Sequence, residues 1–183
     1  HALRDAAFQV VSVATTTGYA TTDYLLWPTI GPVLMLLLGA IVSCAGSTGG
    51  GIKMVRVLIL AKVTLHELVQ LIHPRVVNPV TLGGQTVPAR VIGAVIAYML
   101  VYGAVLVGLS LLMLASGLDV VTAVSAIIAC LNNIGPGMGK VGPAGNYAVL
   151  TDFQIWLCSL AMMLGRLELL SVMVLFTPQF WRR

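Results

Sequence analysis

The sequence predicts an all-α polytopic membrane protein built from repeated helix–pore-loop–helix units around a pore. Three observations carry this. The 183 residues are 58% hydrophobic and 9% charged, with a mean hydropathy of +1.00. Soluble domains carry about 25% charged residues. Two apolar segments, Pro88–Ser116 and Ala148–Phe176, are long enough to cross a bilayer, which takes about 20 residues. Two shorter apolar segments open near Asp5 and Asp119 and run into polar, glycine-centred stretches, Thr15–Ala20 and Asn132–Gly137.

In chain order, Ala2–Ala14 reads as a short helix and Thr15–Ala20 as irregular backbone. Thr21–Pro28 is a loop, with Trp27 at an interfacial belt position. Thr29–Cys44 is apolar but too short to span alone, and the run Gly46-Ser47-Thr48-Gly49-Gly50-Gly51 breaks it. Ile52–Ile72 resumes as a helix bearing Lys53, Arg56, Lys62, His66 and Glu67. His73–Val87 is a loop. Pro88–Ser116 is a full span, Asp119–Leu131 a second short helix, and Asn132–Tyr147 a polar Gly/Pro-rich stretch. Ala148–Phe176 is the second full span, ended by Thr177-Pro178.

Seven of the ten basic residues (Lys53, Arg56, Lys62, Arg75, Arg90, Arg182, Arg183) fall on one side of this layout. That side is cytoplasmic by the excess of Lys and Arg, so both glycine-centred loops face outward. The net charge of +4 sets topology here and does not point to nucleic acid. Cys44, Cys130 and Cys158 are far apart, lack metal-ligand spacing and read as small core residues. His66 and His73 read as solvated. No nucleophile–base–orienter set and no paired intramembrane carboxylates occur, so no enzyme and no cofactor are expected.

The two short helices and their loops read as a repeat at an offset of 117 (135 minus 18, aligning Gly135 with Gly18). Under that offset Pro32 meets Val149, and Gly49 meets Arg166. The unit is spanning helix, pore helix, loop, spanning helix. It is complete only in the second copy, and the chain opens at His1 on a pore helix, as part of a longer protein would. Both copies share one orientation, hence an axis along the membrane normal.

Irregular backbone at membrane depth persists only where protein buries it or it lines a watery cavity. Rings of carbonyls in such a cavity strip and select small cations. Glycine at Gly18 and Gly135 permits the backbone angles that turn carbonyls inward, and Thr15, Thr16 and Thr17 add hydroxyls. An ordinary extracellular turn is the plainer alternative. Asp5 and Asp119 suit the positive ends of their helices, whose negative ends then favour a cation. Simple N-capping is compatible with this. Gly46–Gly51 cannot hold a helix well and reads as a flexible intramembrane gate or a structural kink. It is not a phosphate-binding loop, because Ile52 separates Gly51 from Lys53. Arg166 lies mid-span, where a charge costs at least ~2.5 kcal/mol and calls for a cavity and partners. A pairing with Glu168 is disfavoured, since residues two apart on a helix do not face each other.

Phe8–Ser12 running into Thr15-Thr16-Thr17-Gly18-Tyr19, then Ala45–Lys53, then Asn132-Asn133-Ile134-Gly135-Pro136 and the buried Arg166, together resemble the Trk/Ktr/HKT superfamily of potassium uptake proteins, most closely the bacterial Trk-type pore subunit. The resemblance covers nearly the whole chain, as the C-terminal half. It implies a third pore-loop repeat at 1–72 lacking its first spanning helix, a cytoplasmic linker at 73–87 and a fourth repeat at 88–183. Thr16, Thr17, Gly18, Tyr19, Asn133, Ile134, Gly135 and Pro136 would form part of an ion filter, with potassium at Thr16, Thr17, Gly18, Asn133, Ile134 and Gly135. Gly46, Ser47, Thr48, Gly49, Gly50, Gly51 and Arg166 would form a gate. It further implies a multi-pass protein of the bacterial inner membrane, a homodimer, a cytoplasmic nucleotide-binding regulatory subunit and, in some members, symport with protons or sodium. Without the N-terminal half, half a filter cannot enclose an ion, so this chain alone would not conduct. A secondary transporter of a small organic solute, usually rich in intramembrane acids, and a non-transporting structural subunit are the rival readings.

Overall fold

The computed structural model describes residues 2–41, 43–44, 46, 50–74, 79–167, 169–175 and 177–182. Eight helices are defined among them: α1 (Ala2–Ala14), α2 (Ile30–Ile41), α3 (Met54–Ile72), α4 (Ala89–Ala115), α5 (Val120–Leu131), α6 (Asp152–Arg166), α7 (Leu169–Leu175) and α8 (Pro178–Trp181). The limits of α1, α4 and α5 fall where the sequence places them, because local chemistry sets them. Pro88 precedes α4 and Ser116 caps it. The Asp119 carboxylate accepts the Thr122 backbone N–H at 3.0 Å at the start of α5.

α5 forms the centre. Its Ala123, Ala126, Ile127, Ala129 and Leu131 are fully buried, and α2, α4 and α6 pack around it. Small side chains let backbones approach closely in membrane bundles. α1 is enclosed less: Gln9, Ser12 and Val13 are buried, whereas Leu3, Phe8 and Val11 are exposed.

Three expectations change. Among the described residues one helix, α4, is long and apolar enough to cross a membrane alone. The segment expected to span from Ala148 to Phe176 is a 3-10 turn (Tyr147–Val149) followed by α6 and α7, which together are long and apolar enough for one crossing but are bent by 106° to each other. α6 starts later because Thr151 and Gln154 form a reciprocal capping box, and Gln154 also donates to Ser116 Oγ at 2.8 Å. It stops one residue past Gly165, where a Cβ would collide with the Leu131 carbonyl.

Second, the repeat offset does not stay at 117. Asp23 caps the 3-10 turn Tyr24–Leu26, and Asn146 caps Tyr147–Val149 by the same bond, side-chain oxygen to the N–H two residues on. That offset is 123 (146 minus 23), because the second loop carries six more residues. Arg166 therefore matches Ser43 rather than Gly49, which lies outside the described residues together with Ser47, Thr48 and Glu168.

Third, the 73–87 connection contains a small hairpin, β1 (Thr81–Leu82) against β2 (Gln85–Thr86). Gly83 and Gly84 supply its turn at φ 58° and 82°, the pairing that suits two-residue hairpins. Lys62 Nζ donates to the Thr81 carbonyl at 2.5 Å. Cys130 and Cys158 are buried as expected, while Cys44 is exposed.

Candidate functional site: two matched glycine-centred loops

Helices α1 and α5 end in the same way. Thr15 N–H donates to Val11 O, Thr16 N–H to Val13 O and Thr17 N–H to Ser12 O at 2.9, 3.0 and 2.9 Å. Asn132, Asn133 and Ile134 donate to Ile128, Cys130 and Ala129 at 3.1, 3.1 and 2.9 Å. Each bond of one set maps onto the other at the offset of 117 (132 minus 15). The pattern is a Schellman closure, whose left-handed position is usually Gly or Asn. Here Thr16 and Asn133 occupy it at φ 54° and 55°, followed by Gly18 at 80° and Gly135 at 106°. Two left-handed residues two positions apart turn the chain sharply at the same point in both copies. A β-branched residue at positive φ is an outlier for which strain is expected.

The loops then meet. A Cβ on Gly18 would run into the Ile134 carbonyl, and one on Gly135 would stand 3.8 Å from the Gly18 Cα. The Ile134 side chain is buried between Val13 and Met35, and a Cβ on Gly39 would collide with its Cδ1. Tyr24 Oη donates to the Gly137 carbonyl at 3.3 Å, tying the 3-10 turn of the first copy to the second loop. Burial beside the Asp23 carboxylate pushes the Tyr24 hydroxyl up to about 12, so it stays protonated and donating.

Thr16, Thr17, Gly18 and Tyr19 form one loop, and Asn133, Ile134, Gly135 and Pro136 the other. Thr17, Tyr19 and Gly135 are exposed, and Ile134 is buried. Two of these carbonyls are already engaged: Ser12 Oγ donates to Tyr19 O at 2.6 Å and Tyr147 Oη to Gly135 O at 2.8 Å. Thr15 and Thr17 hydroxyls bond each other at 2.9 Å.

Of the glycine-rich stretch, Gly46, Gly50 and Gly51 are described. Gly50 and Gly51 press against the root of the second loop. A Cβ on Gly50 would stand 2.7 Å from Asn133 Nδ2, and one on Gly51 would collide with Asn132 Oδ1. Ser43 Oγ donates to Gly50 O at 3.3 Å, and Ile52 N–H to Ala40 O at 3.2 Å. Gly46 is exposed, with open space where a Cβ would stand. Arg166 is the last residue of α6 and is exposed on this chain rather than buried within it. Its neighbour Gly165 lies close enough that a Cβ would be 3.1 Å from Asn133 Nδ2.

Ser12 and Asn132 fall inside the sequence stretches that carry the resemblance, yet their buried side chains, like the Tyr147 hydroxyl, acquire partners only in the fold.

The TrkH family profile, described as cation transport protein, matches residues 1–183. The chain belongs to the TrkH family. It is 42% identical over 181 residues to the Trk system potassium uptake protein TrkH of Vibrio parahaemolyticus, covering 99% of this chain and 37% of that protein. TrkH of Escherichia coli is 42% identical over 180 residues, covering 98% and 37%, and TrkG of Escherichia coli is 41% identical over 175 residues, covering 96% and 36%. The crystal structure of the potassium transporter TrkH from Vibrio parahaemolyticus superposes with a TM-score of 0.87 at 43% identity, over 96% of this chain and 37% of that one. The chain thus spans little more than a third of the length of these relatives. With that likeness, the all-α polytopic membrane fold with pore-loop units is the fold of this chain.

Proposed function

We propose that this chain forms half of a potassium-selective pore in a bacterial uptake protein of the inner membrane. Residues 1–72 and 88–183 are the third and fourth pore-loop units, and 73–87 is the cytoplasmic linker. Thr16, Thr17, Gly18 and Tyr19 with Asn133, Ile134, Gly135 and Pro136 are their filter segments. The matched left-handed pairs, Thr16/Gly18 and Asn133/Gly135, carry the reading. Backbone turned alike in two copies that touch at their glycines is what a shared ring of carbonyls requires.

Potassium enters from outside, exchanges water for carbonyls of Thr16, Thr17, Gly18, Asn133 and Ile134, and meets the Gly46–Gly51 stretch and Arg166 below. One lone pair of the Gly135 carbonyl is held by Tyr147, which leaves the other for an ion. The C-terminal ends of α1 and α5 point at this place and favour a cation. The remaining filter segments come from the rest of the protein. A homodimeric assembly on a cytoplasmic nucleotide-binding regulator follows from the family resemblance.

The test is rubidium uptake by the full-length protein in potassium-uptake-deficient cells, with and without Gly135→Ser. Uptake that falls, or loses its preference for rubidium over sodium, supports the filter. Unchanged uptake and preference at equal membrane abundance refute it.

A further inference from the structure

Asn132 is fully buried at the root of the second loop, one residue before the left-handed Asn133. Tyr102 Oη donates to its Oδ1 at 3.0 Å, and its Nδ2 donates to Ile128 O at 2.8 Å. Gly51 lies against the same Oδ1, so closely that no Cβ fits. Tyr98 Oη donates to the Gly51 carbonyl at 3.2 Å. The two rings, one helical turn apart on α4, stack with centroids 6.2 Å apart and planes at 26°. Both tyrosines are buried. Above them the Arg56 guanidinium of α3 sits 3.8 Å from the Tyr98 ring centroid, a cation–π distance.

We infer that Tyr98 and Tyr102 are positioning residues that clamp Asn132 and Gly51 together and so fix the carbonyls of the second filter loop. The inference rests on the filter reading above and adds a support outside the filter itself. A buried hydroxyl in an apolar helix is retained at a desolvation cost unless it has a partner, and here both hydroxyls are spent on the two residues that touch beneath the loop. The Tyr102 hydroxyl holds Oδ1 while the Ile128 carbonyl holds Nδ2, and loss of the first leaves the Asn132 amide anchored at one end only. A slack Asn132 lets Asn133 and Ile134 turn, and ion discrimination depends on where their carbonyls point.

The experiment compares Tyr98→Phe, Tyr102→Phe and the double variant in the full-length protein, with Gly135→Ser alongside. Rubidium and sodium uptake are measured at matched membrane abundance. Loss of one buried hydrogen bond should lower the rubidium-over-sodium ratio about five- to tenfold in Tyr102→Phe. Tyr98→Phe should lower it less, and the double variant should fall short of the product of the singles, because both act through one contact. Phenylalanine keeps the ring and the packing, so a purely structural role would lower abundance and leave the ratio unmoved. A ratio unmoved in both single variants overturns the clamp. If Gly135→Ser shifts the ratio in that case, the filter reading survives alone; if it does not, both fall.

Discussion

Gly18 and Gly135 lie against each other across the two copies, with 3.8 Å between the Gly18 Cα and the place a Cβ on Gly135 would occupy. The contact is asymmetric. On the other side, Gly18 faces the Ile134 backbone carbonyl with no room for a methyl group. The loops therefore share a backbone-to-backbone surface: glycine at Gly18 is required by that approach as well as by positive φ, whereas at Gly135 positive φ alone favours it.

Gly18→Ala should be worse than Gly135→Ala. Both pay for a side chain at positive φ, roughly 1–2 kcal/mol, but Gly18→Ala also displaces a backbone carbonyl that cannot rotate away. Thermal melts of the purified full-length protein in detergent order the two variants. A Gly135→Ala melt at or below that of Gly18→Ala would contradict the asymmetry.

Thr16 holds a left-handed conformation at φ 54°, and its repeat partner Asn133 holds φ 55°. Asparagine tolerates this region and a β-branched residue does not. Thr16→Asn should raise stability by about 1 kcal/mol. A lower melting temperature would show that the Thr16 hydroxyl has a partner worth more than the relieved strain.

Much of the fold was legible because its punctuation is local. Asp119 and Ser116 mark helix ends by their side-chain hydrogen bonds and Pro88 by its fixed φ and missing N–H, and the short apolar helices leading into Gly18 and Gly135 announce the loops. The break after Arg166 was not legible: Met162–Arg166 reads as continuous helix, and no Gly/Pro signal follows it before α7. The offset of 117 held through the hydrogen bonds of the loops and failed beyond them, since the second loop is longer before Asn146. The clamp at Asn132 was hidden for a related reason. Tyr98 and Tyr102 sit in a hydrophobic span where a tyrosine looks like any core residue until its hydroxyl is seen to have a partner.

The close approach of α6 to α5 gives a paired test. A Cβ on Gly165 would collide with the Leu131 carbonyl, whereas one on Gly108 in α4 meets nothing within 4 Å. Gly165→Ala should destabilise by about 1–3 kcal/mol through overpacking. Gly108→Ala should be neutral or stabilise by up to about 1 kcal/mol through helix propensity. Equal melting temperatures would mean α6 is free to shift away from α5.

Asp119 carries a pH dependence. Hydrogen bonds from the Thr122 backbone N–H and side chain hold its carboxyl below the ordinary carboxylate value. A carboxyl depressed in the folded state stabilises above its unfolded pKa, and the contribution is lost as pH falls through the folded pKa. The wild type should therefore exceed Asp119→Asn by a few degrees at neutral pH. The gap should close in acid, below the usual carboxylate range. A gap independent of pH would assign the cap to geometry alone.

The most direct measurement is rubidium anomalous diffraction from crystals of the full-length protein. A peak bounded by carbonyls of Thr16, Thr17, Gly18, Asn133 and Ile134 is the expected result. A rubidium peak elsewhere, with these carbonyls turned away from it in a protein that still takes up rubidium, would contradict the claim that the two loops together form half of one ion filter.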